Sequence, residues 1–173
     1  MTVTLLRHGR ADYVGVVDKF VGHGRDLAPL TVAGIGDAER AAATLAATPP
    51  DRILSSPMTR ALQTATIIGR RLDLDVVIEV DLHEWMPDDR QRWADVAQVD
   101  EAISDLRACG GAWPDGTTRH WEPLSAMRRR AGLAIDRHTD AGDLLVVCHS
   151  MIIEALTGRA GCGHGEAVEL VGS

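Results

Sequence analysis

The chain has 173 residues and a formal net charge of −7 at pH 7, which suits one domain with a single substantial core. This acidic balance argues against nucleic acid or an anionic membrane surface as the main partner, because both bind basic faces. No segment approaches the ~20 apolar residues of a membrane span, and no secretory signal is recognisable. The three cysteines, Cys109, Cys148 and Cys162, have no metal-site spacing and cannot form a closed disulfide set, so we expect a cytoplasmic protein.

The first predicted element is a buried strand over the apolar run Val3–Leu6. Arg7-His8-Gly9 follows it, and the glycine allows a sharp turn, so both side chains should emerge at the carboxyl end of the strand. Open α/β sheets bind ligands at that edge. A neutral imidazole can attack phosphorus there, and a guanidinium matches phosphoryl oxygens through charge-assisted hydrogen bonds.

A helix is predicted after the glycine-containing loop that spans residues 9–30. Thr31 is placed to cap this helix, and Pro49-Pro50 ends it. Helical spacing predicts an apolar face made of Val32, Ile35, Ala38, Ala42 and Leu45.

A second strand is predicted over residues 52–55 and leads directly into another helix. Ser56 is placed to cap this helix, Pro57 suits its first turn, and the helical pattern runs to residue 71. Arg60 then projects from the first turn, close to the sheet edge predicted for His8.

The rest of the chain continues the alternation of strands and helices, which predicts an α/β fold with a mostly parallel sheet. A long helix is expected over residues 122–139, and further strands are expected over residues 76–78, 143–148 and near 167–171. The last strand has the alternating pattern of a sheet edge. His149 and Ser150 follow a buried strand, as His8 does, so a second imidazole should reach the same edge.

All four tryptophans lie in the segment that follows Glu84 and ends near Pro123. One hypothesis is a lid that selects the organic part of a substrate, formed by Trp85, Trp93, Trp113 and Trp121 with Arg90, Arg92 and Arg119. The alternative is that the tryptophans anchor an irregular loop to the core. Buried aromatic residues more often pack than bind, which favours the anchoring role.

Taken together, these motifs resemble the histidine phosphatase superfamily, also called phosphoglycerate-mutase-like. The resemblance rests on Leu6-Arg7-His8-Gly9, Pro29-Leu30-Thr31 with Gly34, the stretch from Ser55 to Ala65, Leu82 with Glu84, and Val147-Cys148-His149-Ser150. It implies a three-layer α/β/α sandwich with a mostly parallel sheet. It also implies a single domain over residues 1–173, with a cap-like insertion around residues 86–123 that matches no family motif.

The resemblance implies that His8 is the phosphorylated nucleophile, that Arg7, Arg60 and His149 hold the phosphoryl oxygens, and that Glu84 is the proton donor. The chemistry agrees, since phosphoryl transfer needs fixed positive charge, which two arginines and a protonated His149 would supply. One carboxyl group can act first as acid and then as base. Helix amides after Ser150 would add partial positive charge at the phosphate.

Two departures from the family pattern bear on the reaction. Arg10 and Ala11 stand where many members have Glu followed by Ser or Thr, and the asparagine usual in sugar-phosphate mutases is absent, which weakens the mutase alternative. Arg10 and Arg25 would extend the positive field towards a second phosphate or an acidic substrate. The alternative for each is a solvated or ion-paired surface arginine.

The sequence therefore predicts a metal-independent phosphatase, without cofactor, that acts on a phosphomonoester or on phosphohistidine. Its partner would be a phosphorylated small molecule or a phosphoprotein, with no role for nucleic acid or membrane; the oligomeric state is not predicted. The alternatives are a phosphoglycerate-type mutase, a catalytically silent phosphate-binding module, and a zinc-dependent hydrolase. The zinc alternative is weak because the remaining histidines, His23, His83, His120, His138 and His164, show no ligand spacing.

Overall fold

The computed structural model describes residues 1–17, 23–90 and 96–171, and all statements below concern these residues. The strands are β1 (Val3–Arg7), β2 (Arg52–Ser55), β3 (Val76–Ile78), β4 (Leu144–Cys148) and β5 (Ala167–Glu169). The α-helices are α1 (Val14–Val17), α2 (Val32–Leu45), α3 (Thr59–Leu72), α4 (Val96–Ala108), α5 (Leu124–Asp136) and α6 (Ser150–Thr157). Short 3₁₀ helices lie at His23–Arg25, Val80–Leu82 and Thr139–Ala141.

The strands form one sheet in the order β3-β2-β4-β1-β5. The first four strands are parallel, and β5 is antiparallel to β1 at the edge. All five residues of β4 are buried, as expected for a strand covered on both faces. The predicted mostly parallel α/β sheet is therefore confirmed.

Successive side chains of each strand point to opposite faces of the sheet. Apolar residues therefore lie on both faces, and helices cover each of them. On one face Leu5, Leu54 and Val146 pack with residues of α4, α5 and α6. On the other face Leu6, Ile53 and Leu145 pack with residues of α2 and α3. The result is the three-layer α/β/α sandwich that the family resemblance implied.

The N-terminus of α2 is capped as predicted, but the predicted apolar face is partly wrong. Thr31 Oγ1 accepts a hydrogen bond from the Gly34 N–H at 3.0 Å. Val32 and Ile35, however, are 89% and 41% exposed. The helix instead turns a face of small residues and one carboxylate inwards, namely Gly34, Asp37, Ala38, Ala41 and Ala42.

The predicted capping of α3 by Ser56 is wrong, because the helix begins at Thr59 with Met58 as its N-cap and no side-chain cap. The Ser56 hydroxyl accepts from the Met58 N–H at 3.3 Å and hydrogen-bonds to His149 Nε2 at 2.7 Å. Ser56 thus stabilises the turn between β2 and α3 and contacts His149.

Two other predicted elements are shorter than expected. Helix α5 covers Leu124–Asp136 within the predicted 122–139, with Pro123 as its N-cap. Strand β5 ends at Glu169 instead of residue 171.

No helix within the described ranges is long and apolar enough to cross a membrane. Cys109, Cys148 and Cys162 are free thiols, and the latter two are buried.

The loop after β1 lies directly on the first turn of α2 through two glycines. A Cβ atom on Gly9 would lie 2.2 Å from the Gly34 carbonyl oxygen, and one on Gly34 would lie 2.0 Å from the Arg10 carbonyl oxygen. Neither backbone atom can yield as a flexible side chain could. Close approach of two backbones, rather than a special backbone angle, therefore requires glycine at both positions.

We predict opposite effects of Gly→Ala at two neighbouring positions of α2. Gly34→Ala should lower the free energy of unfolding by about 2 kcal/mol or more, because the new methyl group meets backbone. Gly36→Ala should raise it by about 0.5–1 kcal/mol, since its methyl group meets only the flexible end of Arg40 at 3.4 Å. Urea unfolding of both variants provides the measurement, and equal effects would contradict the close packing at Gly34.

Candidate active site

The pairing of β1 with β4 brings two histidines together at the carboxyl edge of the sheet. Arg7 lies opposite Cys148 in the parallel register, and the His8 N–H donates to the Cys148 carbonyl at 3.0 Å. The next residue of each chain segment is a histidine, and the His8 and His149 ring centroids are 5.1 Å apart in an edge-on arrangement.

His8 is held as a neutral imidazole with its Nε2 lone pair facing Arg60. Because Nδ1 donates to the Gly9 carbonyl at 2.7 Å, Nε2 is the unprotonated nitrogen, and it accepts from Arg60 Nε at 3.1 Å. Burial, with only 2% of the residue exposed, and the charges of Arg60 and Arg7 lower the pKa of His8 from 6.5 to about 3. The nitrogen that could attack phosphorus is therefore unprotonated near neutral pH.

Arg60 reaches His8 from the first turn of α3 and is itself buried. Its Nη1 donates to the Arg25 carbonyl at 2.7 Å and its Nη2 donates to the Met58 sulfur at 3.0 Å. Thr64, one turn later, donates to the Arg60 carbonyl at 2.8 Å and accepts from the Gly9 N–H at 3.1 Å. The helix is thus tied to the loop that carries His8.

Arg7 and His149 each have one buried nitrogen without a hydrogen bond. Arg7 Nη1 donates to the Cys162 carbonyl at 2.5 Å. His149 Nε2 is hydrogen-bonded to Ser56 Oγ at 2.7 Å. Among the described residues, Arg7 Nε and His149 Nδ1 are the buried side-chain polar atoms that lack a partner. Such atoms are costly to bury and are suited to receive a polar ligand.

A protonated His149 was expected from the sequence, whereas the structure favours the neutral imidazole. Complete burial, followed by the charges of Arg60 and His8, lowers the pKa of His149 well below 6.5. The permanent positive charge of the site therefore comes from the arginines.

Glu84 follows the 3₁₀ helix Val80–Leu82 and lines the same cavity as Arg60. Burial raises the pKa of its carboxyl group, against the opposing effects of the Trp85 N–H, which donates to Oε1 at 2.9 Å, and of Arg60. A carboxyl group with a raised pKa can hold a proton closer to neutral pH and then donate it.

The cavity beside Arg60 and Glu84 has a volume of about 600 Å³. Its polar lining includes Arg25, Asp26 and His83. Its apolar wall includes Tyr13, Leu27, Met58, Trp85, Met86, Val99, Ile103 and Met151. A chamber of this size next to an anion site can hold the organic part of a small phosphorylated molecule.

Arg10 and Arg25, paired in the sequence analysis, occupy different environments. Arg10 does not line the cavity, and its guanidinium donates to Asp37 at 3.0 and 3.1 Å. These hydrogen bonds from Arg10 lower the pKa of Asp37 to about 2. Arg25 does line the cavity, with its guanidinium 5.1 Å from the centre of the Tyr13 ring. Arg10 is therefore ion-paired with Asp37 outside the cavity, as the alternative for this residue expected, whereas Arg25 lies in the cavity lining.

Ser150 is the first residue of α6, and His149 is its N-cap. The helix thus starts at Ser150 rather than after it, so its first amides lie beside the second imidazole. Any partial positive charge from this helix end acts at the position of His149.

His164 lies close to the nucleophile candidate, although no role at the site was expected for it from the sequence. Its ring is exposed, yet the centroid lies 5.7 Å from that of His8. It belongs to the loop before β5, whose antiparallel pairing with β1 brings it to the site. No strand-end motif marks this position, so only the edge pairing could have indicated it.

Of the three tryptophans that the structure describes in the segment after Glu84, two are buried. The Trp85 indole donates to the Glu122 carbonyl at 2.7 Å, and Trp121 is buried and donates to Asp105 at 2.7 Å. Trp113 is 37% exposed and donates to the Trp121 carbonyl at 2.9 Å. These contacts favour the anchoring alternative.

Of the residues named for the lid hypothesis, Trp85 lines the cavity at Glu84, and Trp93 and Arg92 lie outside the described residues. Arg90 pairs with Asp88, and Arg119 pairs with Asp105. The segment instead contributes Met86, Pro87, Val99 and Ile103 to the cavity wall.

The chain belongs to the histidine phosphatase superfamily (branch 1), whose family model matches residues 3–169. It is a phosphatase, and among its relatives the adenosylcobalamin/alpha-ribazole phosphatase of Salmonella typhimurium is 28% identical over 162 residues, which cover 92% of this chain and 79% of that protein. The same-named protein of Salmonella typhi is 29% identical over 164 residues, with the same coverage.

Solved structures share the fold. Mycobacterial glucosyl-3-phosphoglycerate phosphatase in complex with VO3 has a TM-score of 0.74 at 23% identity, and the match covers 99% of this chain and 91% of that chain. The alpha-ribazole phosphatase from Shigella flexneri has a TM-score of 0.68 at 24% identity and covers 98% and 89%. The family resemblance and the fold it implied are confirmed.

The lowered pKa of His8 predicts a dependence of stability on pH. His8 takes up a proton near pH 6.5 in the unfolded chain and only near pH 3 in the folded protein. Its contribution to the free energy of unfolding is therefore fully present above pH 6.5 and is lost as the pH falls from 6.5 towards 3. The slope from one such group is at most about 1.4 kcal/mol per pH unit. Urea unfolding between about pH 4 and pH 7 should give a smaller slope for His8→Asn than for the wild type. The same slope in both proteins would contradict a buried neutral His8.

Proposed function

We propose that the protein hydrolyses phosphomonoesters of small molecules in two steps through a phosphohistidine at His8. The observation that carries this proposal is the neutral imidazole of His8, whose Nε2 lies 3.1 Å from Arg60 Nε beside Arg7 and His149. The carboxyl group of Glu84 lies in the same cavity lining as Arg60. In the free protein the Arg60 Nε–H occupies the Nε2 lone pair. A phosphoryl oxygen competes for that donor, and its binding releases the lone pair for attack.

In the first step the Nε2 lone pair of His8 forms a bond to phosphorus as the bond from phosphorus to the ester oxygen breaks. The departing alkoxide takes the proton of the Glu84 carboxyl group and leaves as an alcohol. Arg7 and Arg60 stabilise the charge on the equatorial oxygens, and the buried Arg7 Nε and His149 Nδ1 are free to bind them.

In the second step a water molecule attacks phosphorus and gives a proton to the Glu84 carboxylate. The phosphorus–nitrogen bond breaks and its electron pair returns to Nε2, so inorganic phosphate leaves and His8 is neutral again. Both the carboxyl group and the imidazole end in their starting states, as turnover requires.

The proposed reaction uses no metal. In the described part of the chain, the group of side chains with metal-ligand spacing is Asp88, Asp89 and His120. None of the three lines the cavity at Glu84, and Asp88 and His120 line a second cavity. Activity that survives extensive treatment with a chelator supports the proposal, whereas loss that zinc restores would support the zinc-hydrolase alternative.

We predict that His8→Ala abolishes both turnover and phosphoenzyme. Wild-type protein mixed briefly with a ³²P-labelled substrate and quenched in base should retain label, because a phosphorus–nitrogen bond survives base and is cleaved by acid. Arg10→Met is the matched control, since Arg10 pairs with Asp37 outside the cavity, and it should label normally. Base-stable label on His8→Ala would refute the assignment of the nucleophile.

The cavity supports a substrate with a sizeable apolar or ring-bearing group. Most of its wall is apolar, and Arg25 above the Tyr13 ring provides a separate positive charge for an acidic or phosphate group distant from the reacting one. The relatives named alpha-ribazole phosphatase make alpha-ribazole phosphate the first candidate for a substrate panel. The same panel should contain sugar phosphates, nucleotides and a phosphohistidine protein, because phosphoproteins are the alternative substrate class.

We propose further that residues 86–123 form a cap that selects this organic group. Helix α4 contributes Val99 and Ile103 to the wall, and the anchored tryptophans hold the segment against the core. Substrate choice would then depend on the apolar side chains of α4.

If the cap selects the organic group, Ile103→Ala should lose activity on bulky substrates only. This variant should lose roughly tenfold in kcat/KM for a phosphomonoester with a bulky apolar alcohol and little for glycerol phosphate, because one aliphatic contact is worth about 1–3 kcal/mol. Ser104→Ala, at the next and exposed position of α4, serves as control. Equal loss on both substrates would argue against a selective cap.

A further inference from the structure

The guanidinium of Arg130 on α5 uses all of its donors on one segment of chain and one carboxylate. Nη1 donates to the carbonyls of Asp81 at 2.5 Å and His83 at 2.8 Å. Nη2 donates to the Glu84 carbonyl at 3.3 Å and to Glu122 Oε2 at 2.8 Å, and Nε donates to Glu122 Oε1 at 2.6 Å. A planar fork of five N–H groups fixes these acceptors relative to one another.

Glu122 holds the same segment from the other side. Its backbone N–H donates to the Met86 carbonyl at 2.9 Å, its carbonyl accepts from the Trp85 indole at 2.7 Å, and Oε2 accepts from the Met86 N–H at 3.4 Å. The side chains of Arg130 and Glu122 are only 14% and 6% exposed. Residues 81–86 are therefore held on both sides of Glu84 by one buried ion pair.

We infer that Arg130 and Glu122 are positioning residues that fix the Glu84 carboxyl group for proton transfer, acting through the backbone of residues 81–86. This inference rests on the proposed function, in which Glu84 is the proton donor. Neither residue lines the cavity.

The local structure explains why such a device is needed. Residues 83–86 belong to no helix or strand, so no sheet or helix ladder fixes the backbone that carries the carboxyl group. The Arg130 contacts give the Asp81 and His83 carbonyls a hydrogen-bond partner, whereas the Glu84 carbonyl also accepts from His83 Nδ1 at 2.6 Å. The charge of Arg130 also opposes the effect of burial on the pKa of Glu84, which keeps the carboxyl group able to lose its proton.

The experiment compares two substrates that differ in their need for a general acid. An alkyl phosphate releases a basic alkoxide that requires a proton, whereas p-nitrophenyl phosphate releases a phenolate that does not. Glu84→Gln should lower kcat/KM for the alkyl phosphate by about 100-fold or more and for p-nitrophenyl phosphate by far less. Arg130→Met and Glu122→Gln should show the same selectivity, with Arg130→Lys intermediate because lysine keeps the charge and loses the fork.

A double variant separates positioning from a general structural role. If Arg130 acts through Glu84, Arg130→Met in the Glu84→Gln background should add less than about a threefold loss on the alkyl phosphate. Arg129→Met, the exposed neighbouring position on α5, is the matched control and should leave both substrates unaffected. The alkaline limb of the pH profile for the alkyl phosphate should also move upwards in Arg130→Met, because a positive charge beside Glu84 is removed.

Each outcome has a defined meaning. Equal loss on both substrates in Arg130→Met and Glu122→Gln, or losses that multiply with that of Glu84→Gln, would overturn the positioning role and leave Glu84 as the acid. Glu84→Gln with no selectivity between substrates would overturn the proton-donor role, and this inference with it. Circular dichroism and thermal melting identify a variant that fails to fold. If Arg130→Met fails to fold, the substrate selectivity of Arg130→Lys and Glu122→Gln tests the positioning role by the same criteria.

Discussion

The register between β1 and β4 is the constraint on which the site depends. Because Arg7 pairs with Cys148, β1 and β4 end at the same level of the sheet. The next residue after each strand is a histidine, His8 or His149. Strand β2 lies on the other side of β4 with Ser55 opposite Val147, which places Ser56 against His149. A slip of one residue would turn each side chain to the opposite face of its strand. The buried residues on both faces of the sheet prevent that slip.

The site keeps its positive charge because the hydrogen bonds of Arg7 and Arg60 go to neutral acceptors. Arg7 donates to a backbone carbonyl, and Arg60 donates to a carbonyl, a sulfur and an imidazole. These contacts fix the guanidinium groups without cancelling their charge. Arg10, Arg90 and Arg119 are instead paired with carboxylates. A protein with a net charge of −7 thus keeps the charges of Arg7 and Arg60 beside His8 unpaired with a carboxylate of the described residues, whereas these other arginines are ion-paired.

The sheet could be predicted, because each of its elements has a recognisable local sequence pattern. The same patterns predicted that four side chains meet at one edge, namely Arg7, His8, Arg60 and His149. A short apolar run predicts a strand, and parallel strands end at a common edge. The segment around Glu84 could be located only through the family resemblance, since a carboxylate among other acidic residues has no distinguishing local pattern.

What could not be predicted depends on contacts between distant segments. The exposed Val32 has the same local pattern as a buried helix residue, and only the packing of Gly34 on the Arg10 backbone shows which face turns inwards. His164 reaches the site because β5 pairs with β1. Arg130 lies among three consecutive arginines, and sequence spacing does not reveal that this one binds three carbonyls of a remote loop.

The position of β1 in the sheet affects how the enzyme is made. This strand is the first of the chain, yet both of its neighbours, β4 and β5, come after residue 143. During synthesis on the ribosome, β2 and β3 with the helix between them can pair early, whereas β1 has no sheet partner until the segment beyond residue 143 has emerged. Pairing of β1 is therefore a long-range step that comes late in folding, and its apolar residues lack their sheet neighbours until then.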